Sequence, residues 1–171
     1  MCNTARQGVT YEQLRGCRSH HDRCPGWDFI TFDVVRQHLF ISRGDRVQVW
    51  SVENRQVIRE IAGTAGVHGI ALAQDLKRGF TSNGRANTVT VFNLENLQVV
   101  RTIAVSGDNP DTILYEPKLK RVYCFNGRSG NVTVIDAVNL QALATVALGG
   151  TPEVAVTRWC GKSFCEHRRY G

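Results

Sequence analysis

Asp28, His68, Asp111 and Glu153 recur along the chain at intervals of 40, 43 and 42 residues. Carboxylate oxygens and imidazole nitrogens suit divalent cations and polar ligands. Asp28, Asp111 and Glu153 sit at one repeating position, where the second copy has Gly69 with His68 beside it, so the four would converge if the repeat closed into a ring. His68, Asp111 and Glu153 are then the candidate metal ligands, and Asp28 joins them in a channel-lining ligand site. Capping turns and bonding water is the plainer role for the same groups. A second recurrence is Asn83-Gly84-Arg85 with Asn126-Gly127-Arg128. Because arginine donates in a planar fork, Asn83, Arg85, Asn126 and Arg128 are candidates for an anion-binding rim. Salt bridges or turn contacts between neighbouring repeats are the competing use of these residues. The first copy has only Arg43-Gly44 there, without the Asn.

The thiols lie elsewhere. Cys17-x-x-His20-His21-x-x-Cys24 and Cys160-x4-Cys165-x-His167 hold zinc-type donors at short range, but neither has a common zinc-motif spacing. Only Cys124 falls inside a repeat, where the previous copy has Thr81. No Ser, His and Asp arrangement recurs, and no glycine-rich loop leads into a helix as a phosphate cradle requires. The chain is therefore expected to be no enzyme, with no cofactor beyond a divalent metal.

What must position these residues is a repeat of about 42 residues. Trp50, Phe92 and Ile135 close one apolar phrase (VQVW, VTVF, VTVI) at steps of 42 and 43. Ile61, Ile103 and Val146 close the next at the same steps, and Phe40, Phe80 and Tyr123 sit in the phrase before. Apolar residues alternate inside each copy, which favours strands over helices. In the second copy the strands are expected at Ile70–Ala73, Gly79–Ser82, Thr88–Phe92 and Gln98–Ile103. Turn formers lie between them, with Asn and Gly expected to supply positive φ. Four short antiparallel strands per period make one β-propeller blade.

The expected fold is all-β: a partial β-propeller of about three and a half four-stranded blades. Residues 1–25 form an unassigned N-terminal segment. Blades occupy 26–66, 67–108 and 109–150, and a fourth starts within 26–156. From 157 to 171 the chain is rich in Cys and Arg and loses alternation. Read one base later, the degenerate codons there permit a glycine turn and an apolar strand, so the tail is expected to be an out-of-frame ending. An unclosed array leaves blade edges bare, which invites self-association.

The formal charge of +6 sits at the ends, since residues 27–156 carry thirteen basic and twelve acidic side chains. Without a basic face or interleaved aromatics, nucleic acid is not an expected partner. No apolar run reaches the eighteen residues of a membrane helix, and MCNTARQGVTYEQ has no apolar signal core.

Trp27-Asp28-Phe29-Ile30-Thr31, the stretch from Gly66 to Ala73, the run from Gly79 to Phe92, and Asn109-Pro110-Asp111 resemble the YVTN-type, YncE-like propeller repeats over about Gly26 to Val156. WD40 repeats are the rival, similar at Val47–Ile58, but their Gly-His and Trp-Asp signature does not recur. The resemblance implies a bacterial, exported, non-catalytic scaffold that binds a protein or small-molecule ligand, in the periplasm or outside the cell. Some such propellers serve haem- or quinone-linked oxidoreductase systems, which is the alternative.

Overall fold

The computed structural model describes residues 28–157 and 163–167, all strands and turns apart from one 3-10 turn at Gln74–Leu76. The two Cys/His clusters lie outside the described residues, except for the backbone of Cys165 and His167. Strands β1 (Ile30–Asp33), β2 (His38–Ser42) and β3 (Gly44–Ser51) lead into β4 (Gln56–Ala73). β4 is 18 residues long because it serves two blades. Its first part, through Ala62, pairs with β3, and its last, from Val67, pairs with β5. Gly63 and Gly66 take φ of +79° and +70° between the two parts, a region that an L side chain enters at a cost.

The second blade continues with β5 (Arg78–Asn83), β6 (Thr88–Asn93) and β7 (Val99–Ala104). The third is β8 (Pro110–Glu116), β9 (Arg121–Asn126), β10 (Asn131–Asp136) and β11 (Gln141–Ala147). Each blade is an antiparallel meander in strand order, as the alternation predicts. β12 (Pro152–Thr157) lies beside β8 and pairs with β13 (Ser163–His167), Val156 opposite Phe164. The tail thus contributes a strand although its residues do not alternate.

Alternation gives each blade two apolar faces, and two cores fill the gaps between blades. Phe40, Val47, Val49 and Ile61 of the first blade meet Ile70, Phe92 and Leu94 of the second. Phe80, Val89, Val91 and Ile103 of the second meet Ile113, Val122, Cys124 and Ile135 of the third. Phe40 and Phe92 are fully buried, with ring centroids 5.4 Å apart. Burying each such ring contributes roughly 1.5–3 kcal/mol. A Cβ at Gly79 would lie 2.1 Å from the Phe92 ring, so that cross-strand position has room only for hydrogen.

Polar clasps reinforce both junctions. Gln74 donates to Asp33 Oδ1 at 2.9 Å and accepts from Arg36 at 2.8 Å, tying the second blade to the first. Asp75 accepts from Tyr115 and Lys120 of the third. Arg78 donates to the Ala137 carbonyl at 2.6 Å.

Asn and Gly supply positive φ in the turns as expected, but not at the Asn-Gly pairs themselves, and other residue types share the conformation. In the β5–β6 and β9–β10 turns positive φ falls on Asn87 (+51°) and Gly130 (+60°), and Gly84 and Gly127 do not adopt it. Gln37, Arg55, Lys77, Leu97, Lys120 and Leu140 take the same conformation just before other strands. The left-handed residue is the last of the turn, where the hairpin geometry demands it whatever the side chain.

Candidate functional site

Two serines set the position of the candidate residues. Ser42 on β2 donates to the His68 carbonyl at 2.6 Å, and Ser82 on β5, at the equivalent place, donates to the Asp111 carbonyl. Each serine belongs to one blade and holds the entrance of the next blade's first strand. Ser82 also accepts from the Gly69 N–H at 2.8 Å. The third blade has Phe125 at this position, so no such bond reaches the fourth.

Three of the four candidate residues line one cleft. Asp28, Phe29, His68, Gly69, Asp111, Thr112 and Ile113 line a cleft of about 40 Å³. His68 Nδ1 bonds Asp28 Oδ2, with both side chains partly exposed. An imidazole that gives its Nδ1 hydrogen to a carboxylate keeps Nε2 as an acceptor in a fixed direction, the arrangement that orients a histidine toward a ligand. His68 Nε2 and Asn109 Oδ1 lie 2.9 Å and 2.8 Å from the point that a Cβ at Gly84 would fill. Glycine there keeps the histidine seated, so Gly84 serves close approach rather than turn formation. A Cβ at Gly127 would meet Asn109 Nδ2 at 3.5 Å and Asp111 Oδ2 at 3.9 Å, ordinary contacts.

Sequence reasoning missed Asn109 and Gly84 as parts of this site. Asn109 takes φ of +56°, its N–H bonds Asn87 Oδ1 at 3.0 Å, and its carbonyl accepts from Gly127. The signal lay in the repeat itself, since Asn109 directly precedes the Pro-Asp pair that opens the third blade.

A cleft of about 40 Å³ has room for a water or a small ion and is far below the roughly 300–1,000 Å³ of pockets for drug-sized molecules. Among the described residues, no three His, Cys, Asp or Glu side chains are grouped as metal ligands would be. The Glu153 side chain, the third expected ligand, lies outside those described. His68 and Asp111 alone are too few donors for a metal centre.

The rim divides. Asn83 and Asn126 are fully buried, and their amides donate inward to strand side chains: Asn83 to Thr88 and Thr90, and Asn126 to Asn131 and Thr133. They therefore do not face an anion, because the hydrogen-bonding demand of the hairpin claims them first. Arg85 is exposed and donates to the Gly44 carbonyl at 3.1 Å, a contact between blades. Arg128 is exposed, and its N–H bonds the Asp108 carbonyl at 3.2 Å. Cys124 carries no reactive thiolate: burial first, then the Asp111 carboxylate, pushes its thiol well above the ordinary range.

The meanders, the serine bonds between successive blades and the line of inner-strand entrances define an open arc of a β-propeller. No protein-family model and no curated protein matches the chain. Among solved structures it is similar to Kuenenia stuttgartiensis hydrazine synthase, with a TM-score of 0.75 and 23% identity over 82% of this chain and 41% of that one. A functionally unknown protein from Desulfotomaculum acetoxidans gives 0.72 and 16% over 82% and 49%. The WD40 repeats of RRP9 give 0.68 and 14% over 81% and 43%. At these identities the likeness is one of fold, and the chain spans less than half the length of each. No helix among the described residues is long and apolar enough to cross a membrane.

Proposed function

We infer that the chain is a non-catalytic propeller scaffold of the YVTN type, and that its inner-strand entrances hold a small polar or cationic group of a ligand or partner protein. The observation that carries this reading is the Asp28–His68 pair opening on the cleft shared with Asp111. The Asp28 carboxylate fixes the imidazole, Asp111 adds a second negative charge, and the cleft admits one small group at a time. The exported, bacterial setting rests on the resemblance of the run from Gly79 to Phe92 to that family.

The test is titration of the chain with ammonium compounds, free amino acids and divalent cations, followed by the His68 imidazole signals in NMR. Saturable shifts in the wild type that vanish in Asp111→Asn support the reading. Signals unmoved by every class would end it.

A second reading has one observation in its favour, the structural likeness to hydrazine synthase. In that reading the arc is a propeller domain of a haem- or quinone-linked oxidoreductase system. Purified protein with a bound chromophore would absorb in the visible, whereas colourless protein that binds a cation supports the scaffold.

A further inference from the structure

Hydrogen bonding inside the protein has already claimed two donors at the inner-strand cleft. The Gly69 N–H goes to Ser82 at 2.8 Å, and the Nδ1 hydrogen of His68 goes to Asp28. Acceptors are in surplus, because Asp28 and Asp111 each bring a carboxylate to the lining and an ionised carboxylate only accepts. No lysine or arginine is among the described residues that line the cleft. An anion therefore meets no opposite charge there, whereas a cation with several N–H donors meets two.

Size and walls then choose among cations. The cleft of about 40 Å³ has room for a group the size of water. A primary ammonium head has that size, whereas a guanidinium or a quaternary ammonium brings several heavy atoms. Phe29 and Ile113 line the same cleft, and Phe29 is 53% exposed. Apolar carbon beside the carboxylates covers the methylene groups of an alkyl stem while the charged head stays with the oxygens. A bare metal ion gains nothing from such walls.

We propose that the cleft takes the primary ammonium of an alkyl chain, either a lysine side chain of a partner protein or a free alkylamine. Asp28 and Asp111 receive its hydrogens, and Phe29 and Ile113 flank its methylene stem. This inference rests on the reading of the cleft as the ligand site and adds the head group that the cleft selects.

Chemical-shift titration of the Gly69 and Ile113 amide signals in the full chain tests it. The probes are n-butylammonium, methylammonium, Nα-acetyl-lysine methylamide, Nα-acetyl-arginine methylamide, tetramethylammonium and calcium. Butylammonium or the blocked lysine should saturate at concentrations about tenfold lower than the arginine and tetramethylammonium probes. A blocked lysine that equals or exceeds butylammonium makes a protein side chain the source, and a preference for butylammonium makes it a free amine. Asp28→Asn should weaken both about tenfold. Phe29→Ala should weaken butylammonium about threefold, through lost cover of the methylenes, and leave the weaker binding of methylammonium unchanged. If Asp28→Asn loses its strand signal in far-UV circular dichroism, the Phe29→Ala comparison decides alone. Equal loss of both amines in Phe29→Ala overturns the stem contact and with it the proposal. So does binding of the arginine probe, tetramethylammonium or calcium that matches or exceeds both alkylammonium probes, although the cleft then remains a ligand site. No binding by any probe overturns this inference and the ligand reading together.

Discussion

The second and third blades both carry a hairpin with a buried asparagine, and the third has Cys124 where the second has Thr81. In the second, Thr81 donates to Asn83 Oδ1 at 2.9 Å, and Asn83 Nδ2 donates to Thr90 at 2.8 Å and Thr88 at 3.0 Å. In the third, Asn126 Nδ2 donates to Thr133 and Asn131 in the same way, but Cys124 replaces Thr81. Asn126 Oδ1 is buried and accepts no hydrogen bond among the described residues. A buried asparagine thus crosslinks strands within each of these two blades, and the exchange of a hydroxyl for a thiol removes one of its bonds. The repeat conserves shape at this position while its polar network is complete in only one of the two copies.

Removing the asparagines should break the comparison most strongly. Asn83→Ala deletes three hydrogen bonds and strands the buried Thr81 hydroxyl, while Thr90 keeps its bond to the Gly63 carbonyl, so a loss of about 3 kcal/mol is expected. Asn126→Ala should cost less, about 2 kcal/mol, because only its amide hydrogens are partnered. Equal losses in urea denaturation would mean that Thr81 contributes nothing through Asn83.

The adjoining glycines should differ next. Gly84→Ala forces a Cβ against His68 and Asn109 and should cost roughly 1–2 kcal/mol as the ring gives way. Gly127→Ala meets only ordinary contacts and should be nearly neutral. His68 imidazole chemical shifts should move in the first variant and stay in the second. A histidine unmoved by Gly84→Ala would separate this glycine from the site.

The blades were legible because burial at alternate positions leaves a period-two trace, and a ring of like blades repeats it. Phe40, Phe80 and Tyr123 align on the repeat alone. The meeting of Asp28 with His68 and Asp111 was legible only as a consequence of that period. The roles of Asn83 and Asn126 were not, because an Asn-Gly pair reads locally as a turn. Their burial depends on Thr88, Thr90 and Thr133 across the hairpin, and only three-dimensional register brings those together. Gly84 misled for the same reason: its neighbours His68 and Asn109 come from other strands.

Cys124→Thr sharpens the comparison by making the third blade like the second. The new hydroxyl would sit where Thr81 sits and could donate to Asn126 Oδ1. The expected gain is about 1 kcal/mol, the usual net contribution of one hydrogen bond. Denaturation should move to higher urea at unchanged slope, and the gain should vanish in the Asn126→Ala background. A gain that persists there would come from packing rather than from the restored bond.

The smallest expected effect distinguishes the junctions by pH. Burial pushes the Asp75 carboxyl up, but bonds from Lys120 and Tyr115 outweigh it and hold the group below the ordinary carboxylate range. Because the folded value is depressed, the clasp contributes stability that is full above the unfolded pKa of about 3.9 and is lost as pH falls through the folded value. Asp75 is 37% exposed, so solvent screening limits this to about 0.5 kcal/mol. Asp33, in the clasp between the first and second blades, is also depressed, with burial raising it and bonds from Arg36, Val35 and Gln74 lowering it more. Its side chain is fully buried, so less of its contribution should be screened. Acid titration of stability should therefore flatten more in Asp33→Asn than in Asp75→Asn. The opposite order would make Lys120 and Tyr115 the stronger partners and the junction of the second and third blades the more electrostatic one.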